Sequence, residues 1–473
     1  MRIRLLGHYL PLSIVVWAVL ETTLFFFVLF GAAMLRFHLD VASIERTTGA
    51  LWPRALLFSL VMFTSLLALG LHSSRQRARS AGIVIRIMAA VGSGVVVSGL
   101  CMFLIPRLWI GRGVVALGGL GAGLVALVLH LALGRLIDER AFKARVLVYG
   151  VGRSAETIAK LRRRADRRGF ALVGFVKPSV SGPIPDAEST SVPSELVFDG
   201  AMALPELCRH LDVDEVVVAV DDRRQSFPIR ELLECRLAGV DVTELLTFLE
   251  RESGRVRLDV LNPSWIIFGE GYRRGSLRQL TSRALDLTAS VILILVSLPA
   301  LLATMVAIKL EDGLRAPLLY RQERVGLSGR IFRLLKFRSM RIDAEAPGEA
   351  RWAVKDDPRV TRVGAVIRTL RIDELPQIIN VLRGDMSLVG PRPERPEFVA
   401  QLSETIPYYF QRHCLKPGIT GWAQLCYPYG SSEQDALEKL QYDLYYIKNN
   451  SLLLDLVILV QTAEVALFGK GAR

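Results

Sequence analysis

The sequence predicts a multidomain membrane protein with an N-terminal four-helix transmembrane bundle, a central Rossmann-like α/β module and a C-terminal α-rich domain. Hydrophobic residues make up 51% of the 473 residues, although the net charge is +13. Apolar stretches of about 20 residues, the length that spans a bilayer, dominate the first third of the chain. Strand and helix patterns then alternate, and a fifth apolar stretch follows them. We place the domain boundaries at 1–140, 141–270 and 271–473.

Four apolar segments form the predicted bundle, at roughly 11–35, 52–72, 82–105 and 109–133. The first is too long for a signal peptide and lacks a cleavage site of small residues, so we expect it to be retained. Basic residues lie at the start, after the second segment and after the fourth, so the positive-inside rule predicts that both ends of the bundle lie in the cytoplasm. These residues are Arg2, Arg4, Arg75, Arg77, Arg79, Arg135, Arg140, Lys143 and Arg145.

Glu21 lies inside the first apolar segment. A carboxylate within a membrane is a candidate functional group by default, because placing it there costs free energy. The sequence offers no obvious partner for it, so a specific role and a purely structural one both stay open.

The central module shows the alternation of a Rossmann-like fold. Buried strands are predicted at 146–149, 171–176 and 215–220, and a helix is predicted from Ala155 to Gly169. The glycine-rich turn before this helix would suit a phosphate at the helix N-terminus. A dinucleotide site also needs an acidic residue at the end of the second strand, where Lys177 stands instead. A structural role is therefore favoured, with cofactor binding as the alternative.

The fifth apolar stretch, Leu285 to Leu310, carries Ser297 and Pro299 near its middle. Proline removes a backbone donor and clashes with the preceding turn, so the helix is predicted to bend there. The length of the stretch fits a spanning helix and a re-entrant helix equally well. If the segment that follows handles phosphate, it needs cytoplasmic substrates, which favours a re-entrant helix over 285–310.

The run LRIDELPQIINVLRGDMSLVGPRPE, Leu370 to Glu394, sets the adjacent carboxylates Asp373 and Glu374 among arginines and prolines. Aspartate can hold Mg²⁺ or attack phosphorus, and arginine binds phosphate oxygens in bidentate fashion. The pattern therefore indicates phosphate chemistry. The positive charge fits anionic partners such as nucleotides and phospholipids, and no nucleic-acid-binding motif is present. The five cysteines form no CxxC pair, which argues against a zinc site or a disulfide framework.

A series of motifs occupies the last two-fifths of the chain. In order, they are Arg283 with Asp286, YRQERVG (Tyr320–Gly326), KFRSM (Lys336–Met340), DDPRVTRVG (Asp356–Gly364), DELPQ (Asp373–Gln377), NVLRGDMSLVGPRPE (Asn380–Glu394), KPGITGWAQ (Lys416–Gln424) and YDLYYIKN (Tyr442–Asn449). This series resembles the bacterial polyprenyl-phosphate hexose-1-phosphate transferases, membrane enzymes that initiate exopolysaccharide, capsule or O-antigen synthesis. The bundle and Rossmann-like module in front match the layout of the large members of that family. Two departures are visible: Leu298 separates Ser297 from Pro299, and Thr369 stands where many members carry a basic residue.

The resemblance implies transfer of a hexose 1-phosphate from a UDP-sugar to undecaprenyl (polyprenyl) phosphate, which yields polyprenyl-diphosphate-sugar and UMP. It implies that Asp373 is the nucleophile and forms a covalent phosphosugar intermediate. Glu374 is then a metal ligand or an orienting partner, and Mg²⁺ is the cofactor held by both carboxylates. Adjacent residues on a helix are splayed by about 100°, so the two carboxylates need not do the same job. Glucose or galactose is the usual sugar expected from the resemblance.

Five basic residues are predicted to contact the substrate phosphates. Arg368, five residues before Asp373, and Arg392, between two prolines that fix its loop, are expected to be the principal phosphate clamps. Further contacts are predicted for Lys336 and Arg338, which alternate as on one face of a strand, and for Arg412, which precedes the KPGITG turn. For each of them, contact with lipid or solvent is the alternative.

The resemblance predicts a multi-pass protein of the bacterial inner (cytoplasmic) membrane, with its catalytic domain on the cytoplasmic face and against anionic lipids. A homodimer formed through the front modules is a further hypothesis. A catalytically silent scaffold of polysaccharide assembly is an alternative function, against which the intact Asp-Glu pair argues. An NAD-dependent dehydratase or epimerase is another, but Leu444 stands where the tyrosine of a Tyr-x-x-x-Lys pair with Lys448 would be needed.

Overall fold

The computed structural model of the protein divides into two compact units, Met1–Val260 and Leu261–Arg473. It describes residues 2–5, 8–38, 40, 49–68, 71, 80–133, 143–161, 170–178, 192–200, 202–221, 227–261, 275–341, 359–427, 430 and 432–468. The basic residues Arg75, Arg77, Arg79, Arg135 and Arg140 lie outside this part of the chain. So do the second half of the helix predicted at 155–169 and the start of the motif that begins at Asp356.

The four predicted apolar segments of the first unit are helices. They are α1 (Leu12–Arg36), α2 (Trp52–Ala68), α3 (Ser80–Leu104) and α4 (Arg112–Val128), and a short hairpin of β1 (Arg2–Leu5) and β2 (His8–Pro11) precedes them. Helices α1 and α3 each pack against both α2 and α4, so the four helices close into a bundle. Helices α1, α3 and α4 are long and apolar enough to cross a membrane, whereas α2 is shorter.

Glu21 has a partner across the bundle that the sequence did not reveal. Its side chain is fully buried on α1, and its Oε1 lies 3.6 Å from Nδ1 of His130. His130 belongs to a π-helical turn, Leu129–Leu133, that continues α4, and Trp17 meets its ring edge-on. The carboxylate therefore joins α1 to α4, the most extensive helix contact of the bundle.

The predicted α/β module contains a parallel five-stranded sheet of order β5-β4-β3-β6-β7. Valines of β3 face Ile158 and Phe248 on one side, and Leu147 and Tyr149 face Cys208 and Cys235 on the other. The strands are β3 (Ala144–Tyr149), β4 (Phe170–Val176), β5 (Val197–Phe198), β6 (Glu215–Val218) and β7 (Asp241–Glu244), and the helices are α5 (Arg153–Ala159), α6 (Leu204–His210), α7 (Ile229–Leu237) and α8 (Leu245–Ser253).

A carboxylate of the chain itself occupies the turn that would hold a dinucleotide phosphate. Asp221 accepts hydrogen bonds from the backbone N–H groups of Arg153, at 2.9 Å, and Ser154, at 2.8 Å, at the start of α5. A Cβ on Gly152 would lie 1.9 Å from an oxygen of Asp221. This contact explains the glycine without a ligand and favours the structural interpretation of the module over cofactor binding.

The second unit begins with a 37-residue helix, α9 (Ser276–Asp312), which is also apolar enough to cross a membrane. The elements after it are β8 (Leu319–Val325), β9 (Ile331–Phe337), α10 (Arg362–Thr369), α11 (Gln377–Arg383), β10 (Ser387–Val389), α12 (Pro396–Thr405), β11 (Gly418–Thr420), α13 (Trp422–Cys426), α14 (Glu433–Lys448) and α15 (Leu452–Phe468). Strands β8 and β9 form an antiparallel hairpin, and β10 pairs with β11 in parallel.

Both halves of α9 pack on this domain. Asp286 and Ser290, before Pro299, are buried, and so are Thr304 and Ile308 after it. Towards its C-terminus, Glu311 accepts hydrogen bonds from the first backbone N–H groups of α10. The hydroxyl of Ser297, which Leu298 separates from Pro299, donates to the carbonyl of Leu293 at 2.6 Å.

Candidate active site

The two carboxylates lie on a short turn rather than on an α-helix. Helix α10 ends at Thr369, Arg371 takes a left-handed conformation with φ of 58°, and Ile372–Glu374 forms one 3-10 turn. Arg368 and Asp373 therefore do not lie on one continuous helix, because the helix ends at Thr369 and the left-handed residue Arg371 separates it from the turn of Asp373. The positive charge of Arg368 nevertheless opposes the rise in the pKa of Asp373 that burial causes.

Glu374 is held by two cations. Its Oε1 accepts a hydrogen bond from Nζ of Lys336 at 3.1 Å and another from Arg392 at 2.7 Å. Burial alone would raise the pKa of Glu374, but Arg392 and Lys336 outweigh it and hold that pKa far below the ordinary range. Glu374 is thus a fixed negative charge that joins β9 to the Gly390–Pro393 loop.

Asp373 is in a different electrostatic position. Only 8% of its surface is exposed, and among the described residues none donates a hydrogen bond to its carboxylate. Burial, followed by the neighbouring charge of Glu374, raises the pKa of Asp373 above the usual aspartate range, although Lys336, Arg368 and Arg371 oppose the shift. A carboxylate without a hydrogen-bond donor of its own keeps its oxygens available for attack or for a metal ion.

Arg392 reaches Glu374 because the Gly390–Pro393 loop and strand β11 meet at very close range. Gly390 donates its N–H to the carbonyl of Thr420, and Gly418 donates to the carbonyl of Pro391, both at 2.9 Å. A Cβ on Gly418 would lie 2.1 Å from the backbone nitrogen of Gly390, so no larger residue fits. This approach fixes the Gly390–Pro393 loop, from which Arg392 projects.

Substituting Gly418 with alanine is expected to push strand β11 and the Gly390–Pro393 loop apart. The clash is with backbone atoms that cannot move aside, so the melting temperature should fall and the contact between Arg392 and Glu374 should weaken. Gly275→Ala is the matched control, because Gly275 has φ of −66° and, apart from its chain neighbours, no described residue lies within 4 Å of the position that its Cβ would take. Thermal unfolding in detergent would show the difference, and equal melting temperatures for the two variants would contradict the packing described.

The predicted strand includes Lys336, which lies on β9, whereas Arg338 lies just beyond the end of that strand. Lys336 contacts Glu374 directly. Nη1 of Arg338 is buried, and among the described residues it finds no hydrogen-bond acceptor. A buried guanidinium nitrogen without an acceptor is costly unless a ligand supplies one.

Arg412 contacts the backbone of the loop that carries Arg392. It is buried, donates to the hydroxyl of Tyr409 at 2.7 Å, and forms an ion pair with Asp443 at 2.8 Å. Its Nη2, which also forms the ion pair with Asp443, donates to the backbone carbonyl of Arg392 at 3.1 Å. The structure therefore gives Arg412 contacts that support the loop of Arg392, while its predicted contact with phosphate stays a prediction.

Two residues that shape the site were assigned no role from the sequence. Arg324 donates to the carbonyl of Pro393 at 2.9 Å and so supports the same loop. Asn380, fully buried, accepts from the N–H of Leu335 and donates to the carbonyl of Arg333, which fastens α11 to β9. Both residues lie in the motifs quoted above, but their roles depend on contacts between segments that are distant along the chain.

The candidate site lies within the region of the chain that matches a known protein family. The bacterial sugar transferase family model matches residues 277–469. A UDP-N-acetylgalactosamine-undecaprenyl-phosphate N-acetylgalactosaminephosphotransferase of Aeromonas hydrophila is 45% identical over 244 residues, which are 52% of this chain and 56% of that relative. An undecaprenyl-phosphate glucose phosphotransferase of Komagataeibacter xylinus is 46% identical over 340 residues, 70% of this chain and 61% of that relative.

A third relative is covered more fully. A UDP-glucose:undecaprenyl-phosphate glucose-1-phosphate transferase of Caulobacter vibrioides is 44% identical over 185 residues, which are 39% of this chain and 68% of the relative. The chain thus matches less than two-thirds of the length of the Aeromonas and Komagataeibacter proteins and just over two-thirds of the Caulobacter protein.

Proposed function

Because this chain belongs to the bacterial sugar transferase family, we propose that it transfers a sugar 1-phosphate from a UDP-sugar to undecaprenyl phosphate. The products are undecaprenyl-diphosphate-sugar and UMP. The observation that carries the proposal is the buried turn at Asp373 and Glu374, set among Lys336, Arg368 and Arg392 inside the matched region. The names of the relatives support the acceptor, and they point to glucose and N-acetylgalactosamine as the first donors to test.

The proposed mechanism has two displacements at phosphorus. An oxygen of Asp373 attacks the sugar-bearing phosphorus, the bond to the bridging oxygen breaks, and UMP leaves. A phosphate oxygen of the polyprenyl phosphate then attacks the same phosphorus, which releases the carboxylate of Asp373 and forms the diphosphate product. The absence of a hydrogen-bond donor to Asp373 among the described residues, together with the engagement of Glu374, supports this division of roles.

The basic residues would stabilise the charge that develops on the transferred phosphoryl group. Arg392 and Lys336 already neutralise Glu374, so that carboxylate does not repel the incoming diphosphate. Nη1 of Arg338, for which the described residues provide no acceptor, is a donor that a phosphate oxygen would satisfy. Fixed donors of this kind cost no reorganisation during the reaction, which is the basis of electrostatic catalysis.

A magnesium ion fits the two carboxylates only if the substrate completes its coordination. Asp373 and the second oxygen of Glu374 would hold the ion, and the described residues contain no group of three or more acidic, histidine or cysteine side chains that would bind it alone. Mg²⁺ is commonly bound by one or two carboxylates together with substrate phosphates. When bound, it would supply positive charge to the diphosphate oxygens.

The re-entrant form of α9 is part of the proposal. Ala289 packs on the cluster that contains Leu334, and Ile308 packs on Phe337, three residues further along β9. Three residues of strand span about 10 Å, whereas a straight helix would separate Ala289 from Ile308 by about 28 Å. A bend at Pro299 would let both halves contact one domain on the cytoplasmic face of the inner membrane, where UDP-sugars and anionic headgroups are found.

Activity is expected to depend on pH through Asp373. The nucleophile must be deprotonated to attack. Because the pKa of Asp373 is raised, we expect the single-turnover rate to begin its decline towards acid at a higher pH than an ordinary aspartate would give. Glu374→Gln removes a neighbouring negative charge and should move this acid limb to lower pH in the activity that survives. Rates of UMP formation across the acid range would test this, and a limb that does not move or that rises in pH would contradict it.

Release of UMP tests the function itself. Membranes that contain the protein would receive undecaprenyl phosphate, Mg²⁺ and one UDP-sugar at a time, beginning with UDP-glucose and UDP-N-acetylgalactosamine. We expect UMP from at least one donor, with matching incorporation of the sugar phosphate into lipid. If no donor yields UMP, the enzyme proposal fails and a scaffold in polysaccharide assembly replaces it.

A further inference from the structure

Helix α9 contacts both chain segments that carry the site, and it does so through two side chains one turn apart. The guanidinium of Arg283 donates to the backbone carbonyls of Val381 and Leu382, each at 2.6 Å. One oxygen of Asp286 accepts from the hydroxyl of Ser387 and from the backbone N–H of Leu388, each at 2.9 Å. Residues three apart on a helix share a face, so one face of α9 makes all four bonds.

The first of these segments is α11. It begins three residues after Glu374, and its C-cap residue Gly384 donates its N–H to the carbonyls of Asn380 and Val381. Arg283 adds a second donor to the carbonyl of Val381 and supplies one to the carbonyl of Leu382, and a cation at a helix C-terminus is also favoured by the helix dipole. The contact therefore fixes the segment that carries Asp373 and Glu374 to α9.

The second segment is β10, which ends at Val389, three residues before Arg392. One edge of β10 pairs with β11, with Ser387 opposite Gly418 and Val389 opposite Thr420. The N–H of Leu388 points to the other edge, where Asp286 accepts it. Asp286 is 4% exposed, so these bonds are shielded from water.

We propose that Arg283 and Asp286 form a clamp that sets the position of Arg392 against Asp373 and Glu374. The two clamped segments meet again at their other ends, where Arg392 contacts Glu374 at 2.7 Å. The clamp ties the alignment of the phosphate-binding arginine to α9, a helix long and apolar enough to enter the membrane. Both are positioning residues, and the inference rests on the proposed function of the site they position.

The kinetic test compares Asp286→Ala with Asp286→Asn. Asparagine keeps an oxygen that accepts from Ser387 and Leu388, so its kcat should stay close to that of the wild type. Alanine should lower kcat by about 10²-fold with the KM for UDP-sugar unchanged, because a small displacement of a catalytic group costs about that much. Thr288→Ala is the matched control, since Thr288 is exposed on the same helix and its hydroxyl donates to the carbonyls of Ala284 and Leu285 one turn earlier.

A double substitution shows whether the clamp acts through Arg392. If it does, Asp286→Ala combined with Arg392→Ala should be no slower than Arg392→Ala alone. The proposal would be overturned if the kcat losses of the two single variants multiply in the double variant. It would also be overturned if Asp286→Ala keeps the wild-type kcat, or if Asp286→Asn loses as much kcat as Asp286→Ala. If Asp286→Ala does not fold, Ser387→Ala removes one of the two bonds, and it too should lower kcat with KM unchanged; a wild-type kcat there would refute the clamp.

Hydrogen exchange separates failure of the clamp from failure of the function. Backbone amides in the segment Ser387–Arg392 should exchange faster in Asp286→Ala and at the wild-type rate in Asp286→Asn. Unchanged exchange in Asp286→Ala would refute the clamp whether or not the protein releases UMP. A wild-type protein that releases no UMP, but shows the expected exchange, would instead refute the proposed function and keep the contact.

Discussion

Substitution of Asp373 with asparagine is expected to lower UMP formation by more than about 10³-fold, which corresponds to about 4 kcal/mol of activation free energy. Asparagine has nearly the same shape but cannot form the acyl phosphate, so chemistry should be lost without loss of the fold. The site tolerates this neutral replacement because among the described residues none donates a hydrogen bond to the carboxylate of Asp373. Release of UMP from radiolabelled UDP-sugar would measure the effect.

Glu404→Gln provides the matched control for this substitution. Glu404 is exposed on α12, so its neutral replacement changes the net charge by the same amount without touching the site. It should keep the wild-type rate. If Asp373→Asn also kept most of its activity, with an unchanged melting temperature, Asp373 would not be the nucleophile, although the transferase reaction could still stand.

Truncation of Arg392 to alanine is expected to lower kcat by about 10²- to 10³-fold, the usual effect of removing one fixed donor that stabilises transition-state charge. The loss has two physical causes. The phosphate loses a guanidinium, and of the two cations that hold Glu374 Lys336 alone remains, so more of the negative charge of Glu374 faces the diphosphate. Arg392→Lys retains the charge but not the planar fork, so its rate should fall between those of the alanine variant and the wild type.

Arg383→Ala is the control for this prediction. Arg383 is exposed in the last turn of α11, and its substitution removes the same charge from the same unit. It should leave kcat unchanged. Steady-state kinetics with both substrates varied would distinguish the two. An Arg392→Ala protein that loses only affinity for UDP-sugar, with kcat intact, would show that Arg392 binds the ground state and the transition state equally.

The sequence was sufficient for the predictions that depend on local patterns. Runs of about 20 apolar residues predicted α1, α3 and α4, and alternation of buried strands and helices predicted the parallel sheet. The motif around Asp373 and Glu374 placed the candidate site in the region that the family model matches. In each case the sequence pattern that supports the prediction lies within a short stretch of the chain.

The features that escaped prediction depend on contacts between distant segments. The pairing of Glu21 with His130 joins two helices that are more than 100 residues apart along the chain. The carboxylate of Asp221 replaces a phosphate at α5 only because β6 lies beside β3. The left-handed Arg371 follows no rule of local preference, since glycine and asparagine are the residues that favour this conformation.

The central claim is that Asp373 carries the phosphosugar during the reaction. Purified protein would be incubated with UDP-sugar and Mg²⁺ without undecaprenyl phosphate, and its intact mass would then be measured, followed by peptide mapping. The account predicts an added mass of one sugar phosphate on the peptide that contains Asp373, which disappears with undecaprenyl phosphate and is absent from Asp373→Asn. Turnover by a protein that never gains this mass, or an adduct that maps to another residue, would contradict it.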